Sequence, residues 1–160
     1  MAGKLEVSFN SPQCGWMSIG FKDGDSEFHT TTAHTPHSQA LSEILKVLSA
    51  LLEGQMKEGI EEFSVAWSRN PEAYTLFFTR SNQVVFFQVV EYPTGEQSSG
   101  EGEIVFSHHG LVRDFCESFY KTFAQLYEDR DTDEFEFNWR QPFPLEEFEK
   151  FESVLKSARI

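Results

Sequence analysis

The chain begins with strict alternation. Leu5, Val7 and Phe9 interleave with Lys4, Glu6 and Ser8, a period-two pattern that predicts a strand with one apolar face. The run Ser11-Pro12-Gln13-Cys14-Gly15 predicts a turn, and Trp16 to Phe21 a second strand. The run Lys22-Asp23-Gly24-Asp25 contains the Asp-Gly pair favoured in tight hairpins, so Ser26 to Thr32 is the expected third strand. The period then changes. Leu41, Ile44, Leu45, Leu48, Leu51 and Leu52 recur at helical spacing, with Pro36 ahead, Ser38 as the expected N-cap and Gly54 as the expected residue just past the end.

Alternation resumes at Phe63, Val65 and Trp67, followed by the turn Arg69-Asn70-Pro71-Glu72. Tyr74 to Thr79 and Gln83 to Tyr92 predict a hairpin around Arg80-Ser81-Asn82. The second of these strands is apolar at nearly every position from Val84 to Val90, which predicts a central strand covered on both faces, with the Leu41–Leu52 and Leu111–Tyr127 helices burying their apolar faces on one side of the sheet. Residues 94–102 are rich in Gly, Ser and Glu and predict a mobile loop; Glu103 to Phe106 predicts a short strand. A second helix is expected from Leu111 to Tyr127, with Val112, Phe115, Cys116, Phe119, Phe123 and Leu126 on one face. A third is expected from Leu145 to Lys156, with Pro144 before it and Leu145, Phe148, Phe151 and Leu155 inward. The sum is an α+β domain spanning residues 1–160: an antiparallel sheet of about six to seven strands with two to three helices packed on it.

Composition adds a Phe-rich core: 15% of the chain is aromatic and 17 residues are Phe. It also adds charge, formally -13, which disfavours nucleic acid and anionic membrane as partners because a phosphate surface is repelled unless Lys and Arg cluster. They do not cluster along this sequence. The start Met1-Ala2-Gly3-Lys4-Leu5 has no apolar signal region and no run approaches the ~18 residues of a membrane span, so a cytoplasmic protein is expected. Cys14 and Cys116 lie far apart among apolar neighbours and read as reduced thiols.

The charge concentrates in one place. Six of the nine residues from Glu128 to Glu136 are acidic and one, Arg130, is basic. Tyr127, Phe135, Phe137, Trp139 and Phe143 flank or punctuate the run, and a solvated tail lacks such residues. An acidic face pinned to a folded core follows. Alternation turns Phe135, Phe137 and Trp139 to one side of an extended segment and Glu134 and Glu136 to the other. Such a face suits a protein partner with a basic surface, and the residues expected to meet it are Asp129, Asp131, Asp133, Glu134, Glu136 and Trp139.

No pattern points to catalysis, a cofactor or a metal. The pairs His34/His37 and His108/His109 read as loop and helix-start histidines, with no Cys pair or His-Glu-x-x-His motif beside them. The spacing Asp129, Asp131, Asp133 copies three ligand positions of a calcium loop, but Glu134 stands where the glycine belongs and Arg140 where the bidentate glutamate belongs. No nucleophile elbow or phosphate-binding loop is present.

The layout Gly15-Trp16, then Trp67 with Asn70-Pro71-Glu72 and Tyr74, then Trp139-Arg140-Gln141-Pro142-Phe143-Pro144 resembles a set of small bacterial proteins of similar length. The overall type, an acidic α+β protein, is similar to the immunity proteins of bacterial toxin systems. That resemblance implies a non-enzymatic protein that binds a basic toxin through an acidic face. The alternatives are an enzyme with a pocket on the sheet using His29 or His34, with a small molecule or metal, and a structural protein that dimerises through a sheet edge.

Overall fold

The computed structural model describes residues 5–9, 16–24, 26–33, 40–54, 57–68, 73–92, 102–131, 135 and 143–157. Seven strands and three helices follow one another: β1 (Glu6–Phe9), β2 (Trp16–Asp23), β3 (Ser26–Ala33), α1 (Ala40–Gly54), β4 (Ile60–Ser68), β5 (Ala73–Ser81), β6 (Val84–Tyr92), β7 (Glu103–Leu111), α2 (Val112–Asp129) and α3 (Leu145–Ser157). The class is α+β and every strand pair is antiparallel, as the patterning predicts. The single sheet is not what forms. The strands divide into a three-stranded sheet, β1-β2-β3, and a four-stranded sheet, β4-β5-β6-β7.

The reason lies in α1, which separates β3 from β4 and lets the chain leave one sheet and start another. Alternation states that a strand has a buried face; it does not state which strand lies alongside. Here the apolar face of the small sheet meets that of the large one. Phe21 of β2 lies 5.0 Å, ring to ring, from Phe87 of β6 and 5.8 Å from Phe106 of β7. Phe28 of β3 lies 5.3 Å from Tyr74 of β5. Helix α2 completes the core through Phe115, 5.4 Å from Phe87, and Phe119, 5.9 Å from Phe21.

Helix α2 also closes the edge of the small sheet. The Phe9 N–H of β1 donates to Thr122 Oγ1 at 2.8 Å, and Ser118 Oγ donates to the Leu5 carbonyl at 2.7 Å. Two polar side chains on an otherwise apolar helix face thereby satisfy backbone groups that an edge strand leaves open. The helix starts without a side-chain cap; instead the Val112 N–H donates to the Gln83 carbonyl in the β5–β6 turn, at 2.9 Å. Helix α1 buries Leu41, Ile44, Leu45, Leu48 and Leu51 against β4, α2 and α3.

Strand β6 is interior, as predicted, but among the described residues no element covers its second face. Val85, Phe87 and Val89 are buried, whereas Phe86 and Gln88 are exposed. Both helices and the small sheet lie on one side only, so the apolar run is a period-two strand with a Phe on its open face. β7 runs to Leu111 rather than ending at Phe106, which places His108 and His109 on a strand and not at a helix start. A bulge at Val105 sits opposite Val89 and Val90. In α3, Phe148, Phe151 and Leu155 are buried as expected, while Leu145, in the first turn, is exposed. The predicted mobile loop at 94–102 lies, apart from Gly102, outside the described residues.

Candidate functional site

The acidic face is built on the end of α2. Its buried stripe, Val112, Phe115, Cys116, Phe119, Phe123 and Leu126, fixes which way the last turn points. Tyr127 then stacks on Phe148 of α3 at 5.3 Å, and Phe143, held ahead of α3, meets both Tyr127 at 5.8 Å and Phe135 at 5.5 Å. Phe135 is buried, and its N–H donates to the Arg130 carbonyl at 2.8 Å. This aromatic group anchors both ends of the short stretch between Arg130 and Phe135. The expectation that the acidic run is pinned by inward aromatics therefore has a structural counterpart at Phe135 and Phe143.

On the solvent side, Glu128 and Asp131 are exposed and Asp129 is half-buried. Asp133, Glu134, Glu136, Phe137 and Trp139 lie outside the described residues. The last turn of α2 contains no basic residue. Carboxylates there face the partial negative charge that the aligned peptide dipoles place at a helix C-terminus, an arrangement that typically costs ~0.3–1 kcal/mol per charge. The neighbouring cation offsets the dipole in part but pairs with none of these carboxylates. The Arg130 guanidinium lies 4.0 Å over the Tyr127 ring and donates to the Tyr127 carbonyl. Among the described residues, no basic side chain forms an ion pair with Glu128, Asp129 or Asp131. Beside this end, an open recess of about 520 Å³ is lined by Tyr127, Phe148, Glu149, Glu152 and Lys156.

Among the described residues the other sequence candidates do not gather. His29 is exposed and its Nε2 lies 2.9 Å from Glu27 Oε1; the hydrogen bond from His29 lowers the Glu27 carboxyl below its ordinary range, its charge adding to the effect. Cys116 is buried, with its thiol directed at the Leu48 carbonyl; burial pushes that thiol far above its usual range, with the Glu117 carboxylate adding to the shift, which disfavours the thiolate. Cys14, His34 and His37 lie outside the described residues. Among the described residues no three His, Cys, Asp or Glu side chains converge as metal ligands.

Two polar clusters escaped the sequence reading. His108 is buried on the inner face of β7, stacks on Phe115, and its Nδ1 lies 2.7 Å from Asp23 Oδ2 at the β2–β3 turn. This pair ties one sheet to the other. Arg80, assigned to a turn by its neighbours, is 1% exposed. It lies 2.6 Å from Glu61 Oε1 of β4 and donates to the Lys57 and Asn82 carbonyls at 3.1 and 2.9 Å. It thereby clasps the end of α1, the connection to β4 and the β5–β6 turn. The signal for both was period two: Leu76, Phe78 and Arg80 share a face, as do Phe106 and His108.

No helix among the described residues is long and apolar enough to cross a membrane. Comparison with known proteins returns no match: no family model fits the chain, and neither a curated protein nor a solved structure is similar to it.

Proposed function

We propose that this chain is a non-enzymatic acidic binding protein of the immunity or inhibitor kind, which engages a partner with a basic surface, such as a toxin domain, through the segment from Asp129 to Trp139. The observation that supports it is the set of carboxylates without an ion-pair partner at the end of α2. Glu128, Asp129 and Asp131 sit where the helix dipole disfavours them; no described basic side chain pairs with them, and the Arg130 guanidinium is turned to the Tyr127 ring and carbonyl, on a segment held by buried aromatics. Stability alone selects against that arrangement; a cationic partner reverses its sign. Carboxylates there steer the encounter, and Asp133, Glu134, Glu136 and Trp139 continue the acidic and aromatic run in the sequence.

The test separates binding from solubility. Asp129, Asp131, Asp133, Glu134 and Glu136 are changed together to their amides, and wild type and variant are used as baits in a lysate of the source cell. The expected outcome is a captured basic protein whose on-rate falls at least tenfold in the variant and falls in the wild type as salt rises. The variant melts at an equal or higher temperature, since carboxylates at a helix C-terminus have been removed. Undiminished capture by a folded variant assigns the run to solubility and overturns the proposal.

A further inference from the structure

The four-stranded sheet has a second face that no described element covers. In register, Ile60, Ser81, Val84 and Leu111 form one row across it; Glu62, Thr79, Phe86 and His109 the next; Ser64, Phe77, Gln88 and Ser107 a third. Ile60 is 68% exposed, Ile104 55%, Leu111 53% and Phe86 47%. At one corner an open recess of about 540 Å³ runs between Lys57, Asn82, Val84, Phe86 and Leu111. At the Tyr92 end Thr75 is buried, so the open part is the end toward Ile60 and Leu111.

Charge makes this face unusual. A quarter of the chain is charged and its net charge is -13. Yet in these three rows only Glu62 and His109 ionise. They occupy the same row at opposite edges of the sheet, on β4 and β7, and His109 is laid flat on Phe86 at 5.9 Å and 23°.

We propose that this face binds a second copy of the same chain, through a two-fold axis parallel to the strands. That axis keeps each row and exchanges its ends. β4 of one copy faces β7 of the other, Glu62 meets the second copy's His109, and the contact is made twice. Ile60 faces Leu111, and Phe86 faces Thr79. Sheets stacked face to face lie ~10 Å apart, a gap that a glutamate and an imidazole from opposite sides close. The ~30° angle between stacked sheets displaces edge residues by only a few Å. A face that is self-complementary under a two-fold is the requirement for an isologous dimer. Four strands ~4.8 Å apart and about five residues of ~3.3 Å cover roughly 320 Å², below the ~800 Å² per partner of a standard stable interface. The dimer is therefore weak and reversible.

Sedimentation velocity from about 1 to 500 µM tests it. The mass is expected to rise from 18.4 kDa toward twice that value. Phe86→Glu and Ile60→Glu, both at exposed positions, each weaken the dimer at least tenfold with an unchanged circular dichroism spectrum. Glu62→Lys alone weakens it about threefold to tenfold, the size expected of a rim charge pair, and Glu62→Lys with His109→Glu restores it. Rising salt leaves the dimer intact or tightens it, the opposite of the effect expected for a basic partner at α2, so the two surfaces fail or succeed separately. A monomer throughout the range, a dimer indifferent to Phe86 and Ile60, or a double exchange that does not restore association overturns the proposal.

Discussion

The two faces of the four-stranded sheet invert the usual assignment of residues. The inner face buries an arginine, Arg80, and a histidine, His108; the outer face exposes Phe86, Ile104 and Leu111. The strands are the same and successive residues alternate between the faces, so neither strand propensity nor mean hydropathy accounts for the difference. What differs is the partner. The inner polar groups each have a fixed one: Glu61 and two carbonyls for Arg80, Asp23 for His108. Burial of a charge is tolerated where hydrogen bonds replace water. The outer apolar groups have no described partner, and a surface of that kind signals association rather than folding.

The sharpest way to break the comparison is to remove the residue on which the inner face converges. Phe87 is fully buried and its ring lies 5.0–5.4 Å from those of Phe21, Phe78 and Phe115. Phe87→Ala is expected to cost about 3–5 kcal/mol, because it leaves a cavity among three other rings that cannot all collapse into it. Urea unfolding followed by tryptophan fluorescence measures the loss.

Arg80 comes next. Arg80→Met keeps the side chain out to the position of Nε and deletes the fork beyond it, leaving the Lys57 and Asn82 carbonyls without their donor. Glu61 reaches solvent, so its charge is not stranded, and the expected loss is about 2–4 kcal/mol from the two carbonyls. Arg80→Lys is expected to recover only part, since an ammonium does not reproduce a planar fork. Full stability in Arg80→Met, read in the same urea titration, removes the arginine from the account of the inner face.

The sequence made the elements legible but not their assembly, and the two faces show why. Strand positions, the three helices, the Asp23-Gly24 turn and the buried stripe of α2 all follow from local spacing, which physics sets within a few residues. The division into two sheets does not, because pairing joins residues distant in sequence and alternation is indifferent to which neighbour supplies the cover. The apolar run of β6 misled for the same reason: Phe86 carries the same letter as Phe87 but faces the other way. Arg80 and His108 were hidden by composition, since a charged residue beside Ser81-Asn82 reads as a turn until its register with Phe78 is followed inward. At the acidic end, inward aromatics beside exposed carboxylates were readable from alternating types, and the helix expected to end at Tyr127 already set the run at a helix C-terminus; α2 runs on to Asp129, which brings Glu128 and Asp129 into its last turn.

A smaller effect tests how tightly Arg80 is held. Gly54, the last residue of α1, is buried, and a Cβ there would lie 2.8 Å from Arg80 Nε and 2.7 Å from Glu61 Oε1. Gly54→Ala gains up to ~1 kcal/mol of helix propensity. It also crowds a guanidinium that its three partners prevent from moving, at a typical overpacking cost of about 1–3 kcal/mol. The expected net is a loss of about 1 kcal/mol, seen as a melting temperature lower by several degrees. In the Arg80→Met background the same substitution is expected to cost less, because a flexible thioether gives way. Equal costs in both backgrounds mean that the clasp is not rigid.

The least effect on folding is expected on the outer face, and that small value is itself informative. Phe86→Ser removes an aromatic ring from the middle of an interior strand, which by sequence pattern alone reads as a core deletion. Its ring is nearly half exposed and its described stacking partner is His109, also exposed. At concentrations where the chain is monomeric, the substitution is expected to change stability by no more than ~0.5 kcal/mol, the range of surface positions without a special role. The same variant, compared with wild type at high concentration, is expected to lose the part of its stability that rises with concentration, since a dimer stabilises its folded subunits by mass action. A loss of several kcal/mol in the dilute monomer means that Phe86 belongs to the core and the outer face is covered. A small loss at every concentration means that the face is open but unused. Only a small dilute loss joined to a concentration-dependent one separates a face that folds the chain from a face that joins it to another copy.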